Sequence, residues 1–198
     1  MAQYSQHFSF TTKHTTRPPR PLETGDEYHF NTPLDEMQQE IEDGKYIEYS
    51  NIAGNLYGTK FSEVQRVKDS GKICLVKLDK EACEKVRDTA LRPKYLFIAP
   101  PDIDALEDRL NEKKESLPDG HPDKTKDWVQ RSLSRAKSEA DYGSAEGNFD
   151  KVLVNEVLED AFGTMRRLFE AWYPHLLEEE EEGEGGEEGK EEGKQDEA

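Results

Sequence analysis

Three short apolar runs constrain the fold of this chain most. "KICLVKLD" (72–79), "KYLFIAPP" (94–101) and "DKVLVNE" (150–156) are continuous rather than alternating, and each is bounded by charge or proline. Runs of this length and pattern predict strands covered on both faces. Helical spacing separates and follows them. Ile103, Leu106 and Leu110 mark one face of 102–114, and 127–142 returns to helix. Leu158, Ala161, Phe162, Met165, Leu168, Phe169 and Trp172 predict a last helix docked on the sheet and stopped by Pro174. Strands alternating with helices imply an α/β fold with a largely parallel sheet.

The first half has more punctuation. Residues 8–14, "FSFTTKH", alternate well enough for a strand, and 15–27 form a Pro- and Gly-punctuated loop. Thr32 and Pro33 suit the cap and first position of a helix striped by Leu34, Met37 and Ile41, and Gly44 ends it. "YIEY" (46–49) predicts a short strand and "AGNLYGT" (53–59) a turn. A helix over 62–70 closes at Gly71, another covers 81–88, and 115–126 is a polar loop.

Charge is unevenly placed. Of the formal net charge of −17, residues 178–198 carry −10, with 12 acids and 2 bases; the rest has 32 acids against 25 bases. This tail cannot bury enough apolar surface to fold and is expected to be disordered. A mildly acidic body argues against a nucleic-acid partner, which needs a basic face. No apolar run of about 18 residues exists, so no membrane span is expected. "MAQYSQHFSF" lacks the pattern of a signal peptide. Cys74 and Cys83 read as two buried thiols of a reducing compartment, so the expected location is cytoplasmic.

"HTTRPPRPLETGDEYHF", "YIEYSNIAGNLYGT", "CLVKLD", "YLFIAPP" and "FDKVLVNE", in this order and spacing, resemble guanylate kinase from residue 3 to about 172. The resemblance implies the three-layer fold of P-loop nucleoside monophosphate kinases over 3–174. Its GMP-binding part would lie at 15–70 and a lid-like loop at 111–127. It implies the reaction ATP + GMP to ADP + GDP, with ATP and magnesium as the family's cofactors. In the GMP (or dGMP) site it places Arg17, Arg20, Tyr28 and Tyr57 on the phosphate. Two guanidinium forks and phenol hydroxyls suit a dianion through charge-assisted bonds. Glu48 matches the guanine-reading carboxylate, because guanine carries N1–H and N2–H side by side and adenine lacks that pair. Gly58, Thr59 and Asp79 complete that site, and Asn155 falls on the adenine side. On the residues alone, Glu48 also reads as an edge-strand carboxylate and Asp79 as a strand-end helix cap.

The sequence also departs from the family. The family opens with a strand, a phosphate loop ending in Gly-Lys-Ser/Thr, and a helix, whereas "MAQYSQHFSF" aligns with the end of that helix and the next strand. Lys77 stands where the resemblance puts an aspartate near magnesium. The lid-like stretch "NEKKESLPDGHPDKTKDW" has lysines and no arginine, and Lys13 replaces a small hydroxyl residue in the GMP site. Lys13 is expected either to help hold a phosphate or to obstruct the base. Two readings stand: an N-terminally incomplete kinase, or a diverged relative that does not catalyse. The competing function is a guanylate-kinase-like module that binds a protein or phosphopeptide partner.

Overall fold

The computed structural model describes residues 6–21, 23 and 25–175. The acidic stretch 178–198, expected to be disordered, lies outside them. The chain divides into two compact units, Met1–Val152 and Leu153–Ala198. The architecture is mixed α/β, as expected.

In the first unit, β1 (Phe8–Phe10) pairs parallel with β6 (Ile73–Leu75). The expected single strand over 8–14 is broken. The chain leaves β1, where the amide of Thr11 still donates to Leu75 (3.1 Å), and re-forms as β2 (Lys13–Thr15) in another sheet. The run 72–79 is shorter and less covered than its apolar pattern predicts. Only Ile73–Leu75 pairs, on one edge, and these residues are half-buried.

The second sheet has the order β3-β2-β5-β4, with β3 Tyr28–His29, β4 Tyr46–Ile52 and β5 Asn55–Lys60. Here 53–59 is not a turn. Only Ala53 (φ 51°) and Gly54 (φ 83°) turn, both left-handed, as a two-residue hairpin with right-handed strand twist requires. The amide of Gly54 is fixed by Asn51 Oδ1 at 3.1 Å. β5 then pairs antiparallel with both β4 and β2.

Helices flank these strands: α1 Leu34–Glu42, α2 Phe61–Asp69, α3 Lys80–Arg87, α4 Ile103–Ser116 and α5 Trp128–Ser144. Pro33 takes the cap position of α1, while the Thr32 hydroxyl donates to His29 O (3.1 Å) instead of capping. Met37 is fully buried, Leu34 is exposed, and Gly44 (φ 71°) follows the helix end. Ile47, Val64 and Val86 form a core cluster, with Cys74, Val76, Leu78, Leu91 and Tyr95 packed against it. Cys83 is buried, its thiol pushed up to about 11 by burial, and Cys74 is half-buried; both are free thiols.

β7 (Leu96–Ala99) begins just after Tyr95. The carbonyl of Tyr95 accepts the amides of Asp150 (2.9 Å) and Lys151 (3.3 Å) as the chain enters β8 (Lys151–Val154). β7 is less covered than expected, with Ile98 exposed. Gly143 in α5 lies under the Phe97 ring, where a Cβ would come within 2.5 Å of three ring carbons. The second unit holds the rest of β8 and α6 (Leu158–Trp172), which ends before Pro174. Ala161 is its buried residue, Leu158 is exposed, and the first turn carries Glu159 and Asp160. No helix among the described residues is long and apolar enough to cross a membrane.

Candidate functional site: one face of the four-stranded sheet

Directly opposed residues of an antiparallel pair share a face, as do residues two apart on a strand. Glu48 stands opposite Thr59, Ser50 opposite Tyr57, and Tyr57 opposite Thr15. Lys13, two residues before Thr15, therefore extends the Glu48–Thr59 row across β4, β5 and β2. The row is closed to water at its inner end, where Glu48 is 1% exposed and Thr59 0%. The Thr59 hydroxyl donates to Glu48 Oε1 at 2.6 Å, and Lys13 Nζ lies 3.0 Å from the same oxygen. The ammonium that sequence assigned to the phosphate or against the base thus neutralises the buried carboxylate.

The neighbouring row leads to Arg17. Its backbone is pinned: the Arg17 amide donates to Thr15 Oγ1 (3.4 Å), and the Asn31 amide donates to Arg17 O (3.1 Å). Its guanidinium is buried among aromatic rings, with Cζ 5.1 Å from the centroids of Tyr28 and Phe30 and 5.9 Å from Tyr57. Nε donates to Tyr57 Oη (3.0 Å), and Nη1 to Pro18 O (2.9 Å). Nη1 and Nη2 grip the two oxygens of Glu23 at 2.7 and 2.6 Å. Glu23 Oε2 also accepts the Arg20 amide at 2.6 Å. Its hydrogen bond from Arg17 holds the Glu23 carboxyl below the usual range, and the pair raises the Arg17 guanidinium further. Burial pushes the Tyr28 phenol up, so at neutral pH it stays a donor.

Arg17, Tyr28 and Tyr57 therefore meet as the sequence anticipates, whereas the Arg20 guanidinium turns to Asp123 Oδ2 (2.8 Å) in the loop after α4. Glu23 and Asp123 were not singled out from sequence. A signal existed for Glu23: Arg17, Arg20 and Glu23 are three residues apart, and a buried guanidinium without ligand needs an anion. Gly58 lies between the two rows. A Cβ there would meet Tyr46 Cδ1 at 2.6 Å and Glu48 O at 2.8 Å, so glycine allows β4 and β5 to close around Glu48. Asp79 is engaged on both oxygens. Oδ1 caps α3 through the Ala82 amide (3.0 Å), and Oδ2 meets Arg135 Nη2 (3.2 Å). Asn155 lies in the second unit, just past β8. Lys77, just past β6, presents an exposed ammonium.

The arrangement is one sheet face with a guanidinium holding a carboxylate and a second, buried carboxylate held by Thr59 and Lys13. The family model of guanylate kinase matches residues 1–172. "Guanylate kinase 1" of Oryza sativa subsp. japonica is 34% identical over 169 residues, 85% of this chain and 42% of that protein, so the chain spans less than half of this relative. "Guanylate kinase" of Sus scrofa is 32% identical over 167 residues, 84% of this chain and 80% of that protein. The crystal structure of guanylate kinase from Anaplasma phagocytophilum shares the fold, with a TM-score of 0.59 at 22% identity over 86% of this chain and 78% of that one. The chain belongs to the guanylate kinase family.

Proposed function

We propose that this chain binds GMP or dGMP on the face of its four-stranded sheet. Arg17, Arg20, Tyr28 and Tyr57 take the phosphate. Glu48, set by Thr59 and Gly58, accepts N1–H and N2–H of guanine. What carries this reading is that an Arg17 guanidinium already gripping a carboxylate shares a sheet face with a Glu48 carboxylate that is 1% exposed. The 5′-phosphate replaces Glu23 as the anion of the clamp, with the rings of Tyr28, Phe30 and Tyr57 keeping the guanidinium in place. Arg20 joins by releasing Asp123, and Asp79 reaches the base only by giving up its bridge to Arg135. The free thiols fit a reducing compartment, and a cytoplasmic location is part of this reading.

A phosphorylated protein would use the same clamp, but its phosphoserine carries no base to set N1–H and N2–H against Glu48. Calorimetric titration separates the cases. GMP binds, AMP does not, and a phosphoserine peptide lacking a base binds weakly. Arg17→Ala weakens GMP binding by about 1.5–3 kcal/mol, the range for hydrogen bonds to a charged group. Equal affinity for GMP and AMP removes the guanine assignment, and an undiminished Arg17→Ala removes the clamp.

A further inference from the structure

We propose that Lys13 is a specificity-determining residue that reads the 6-oxo group of the purine. The inference rests on the guanine-site reading above and deepens it. The hydrogen-bonding edge of guanine presents an acceptor, O6, beside two donors, N1–H and N2–H. Glu48 answers the donors only, because an ionised carboxylate has no proton to give. O6 then enters the row needing a donor of its own. The Thr59 hydroxyl has one proton, and it goes to Glu48 Oε1 at 2.6 Å. Lys13 supplies the donors nearest Glu48 in that row: an ammonium has three N–H and no acceptor, and its Nζ lies 3.0 Å from Glu48 Oε1.

Without ligand, Lys13 and Glu48 neutralise each other in a row that is nearly closed, with the Lys13 side chain 20% exposed. A base that donates to Glu48 competes with Lys13 for the same oxygen. An ammonium left there unpaired would oppose binding. A 6-oxopurine resolves the conflict, because O6 is adjacent to N1–H and offers Lys13 an acceptor as the base takes over the carboxylate. A 6-aminopurine in the same register sets an N–H donor against the ammonium and a ring-nitrogen lone pair against the carboxylate. Lys13 thus adds a second check on the base to the one Glu48 makes.

The test titrates the whole 198-residue chain with GMP and with 6-thio-GMP, in which sulfur, a weaker acceptor, replaces O6. The wild type binds GMP about tenfold more tightly than the thio analogue. Lys13→Met, similar in length and without N–H, binds GMP about 10- to 100-fold more weakly and loses most of that preference. If Lys13→Met binds GMP as tightly as the wild type or more so, the ammonium competes with the base and the inference is overturned. Equal wild-type affinity for the two nucleotides also overturns it, without relying on a variant that folds. A wild type that binds neither refutes the site reading itself. A wild type that binds GMP, with Lys13→Met keeping the full preference, refutes only the role of Lys13.

Discussion

At the scale of single residues, His14 couples the sheet behind the site to pH. It neighbours Lys13 on β2 and so points to the opposite face. Its ring lies 4.5 Å from that of His29 and edge-on to Tyr46 at 6.0 Å. Burial first, then Lys60 and His29, lower its pKa to about 4, while Glu63 and Glu40 pull the other way. The folded pKa is below the unfolded value of about 6.5, so the fold favours the neutral ring. The stability this contributes is fully present above about pH 6.5 and is lost as pH falls towards 4. Discounted for partial solvent screening, the loss at pH 5 is about 1–2 kcal/mol. Urea midpoints at pH 7 and pH 5 measure it. His14→Gln flattens the difference, and a variant with the wild-type slope shows that the proton goes elsewhere. The meeting of Arg17, Tyr28 and Tyr57 was legible from a motif in register. The partners of Lys13 and Glu23 were not, because both are set by compensation: each buried charge finds its opposite within the chain, across strands whose register sequence alone does not give.

At the scale of elements, tertiary pairing overrode local signals. "AGNLYGT" carries turn-forming glycine and asparagine, yet from Asn55 it is an inner strand of the second sheet, because β2 and β4 supply partners on both edges. The apolar run 72–79 predicted a long buried strand, yet only the three residues facing β1 pair. Helices are more legible in the sequence, because a period of 3.6 and caps such as Asp79 and Asp102 are local. The glycine misread as a turn residue gives a test. Gly58→Ala places a methyl against Tyr46 Cδ1 and the Glu48 carbonyl, and Tyr46 is itself buried. Either the ring or β4 must shift, at about 1–3 kcal/mol. Thermal unfolding should therefore show a lower midpoint, and GMP affinity should fall with it as Glu48 is displaced. An unchanged midpoint would mean that the two strands have room to spare.

At the scale of the whole molecule, Arg17, Arg20, Arg131 and Arg135 are all bound to the chain's own acids. Phosphoryl transfer needs positive groups free to meet charge on the transferring phosphate, and an arginine supplied there is worth about 10³–10⁵ in rate. Here Arg17 grips Glu23 and Arg20 grips Asp123. Arg131 bonds to Asp127, and Arg135 bridges Asp79 and Glu139. In the lid-like stretch, Lys124 is held by Asp119 at 2.9 Å. Lys113 and Lys114 sit in the last turn of α4 as point charges without a guanidinium's paired geometry. In the proposed GMP complex the phosphate takes the place of Glu23 and Asp123 as the anion for Arg17 and Arg20. That exchange would serve binding and leaves the arginines of α5 on their own acids. We therefore expect these 198 residues by themselves to bind GMP without converting it. A coupled assay for ADP, with GMP and magnesium-ATP at concentrations that saturate the wild-type family reaction, should stay at background while calorimetry on the same sample reports GMP binding. Turnover in the range of about 1–100 s⁻¹ would overturn this and require the arginines of α5 to leave Asp127, Asp79 and Glu139 during the reaction. Arg131→Lys would then cut the rate, whereas in a chain that only binds GMP it leaves affinity unchanged, because Arg131 bonds to Asp127 and to no residue of the proposed GMP site.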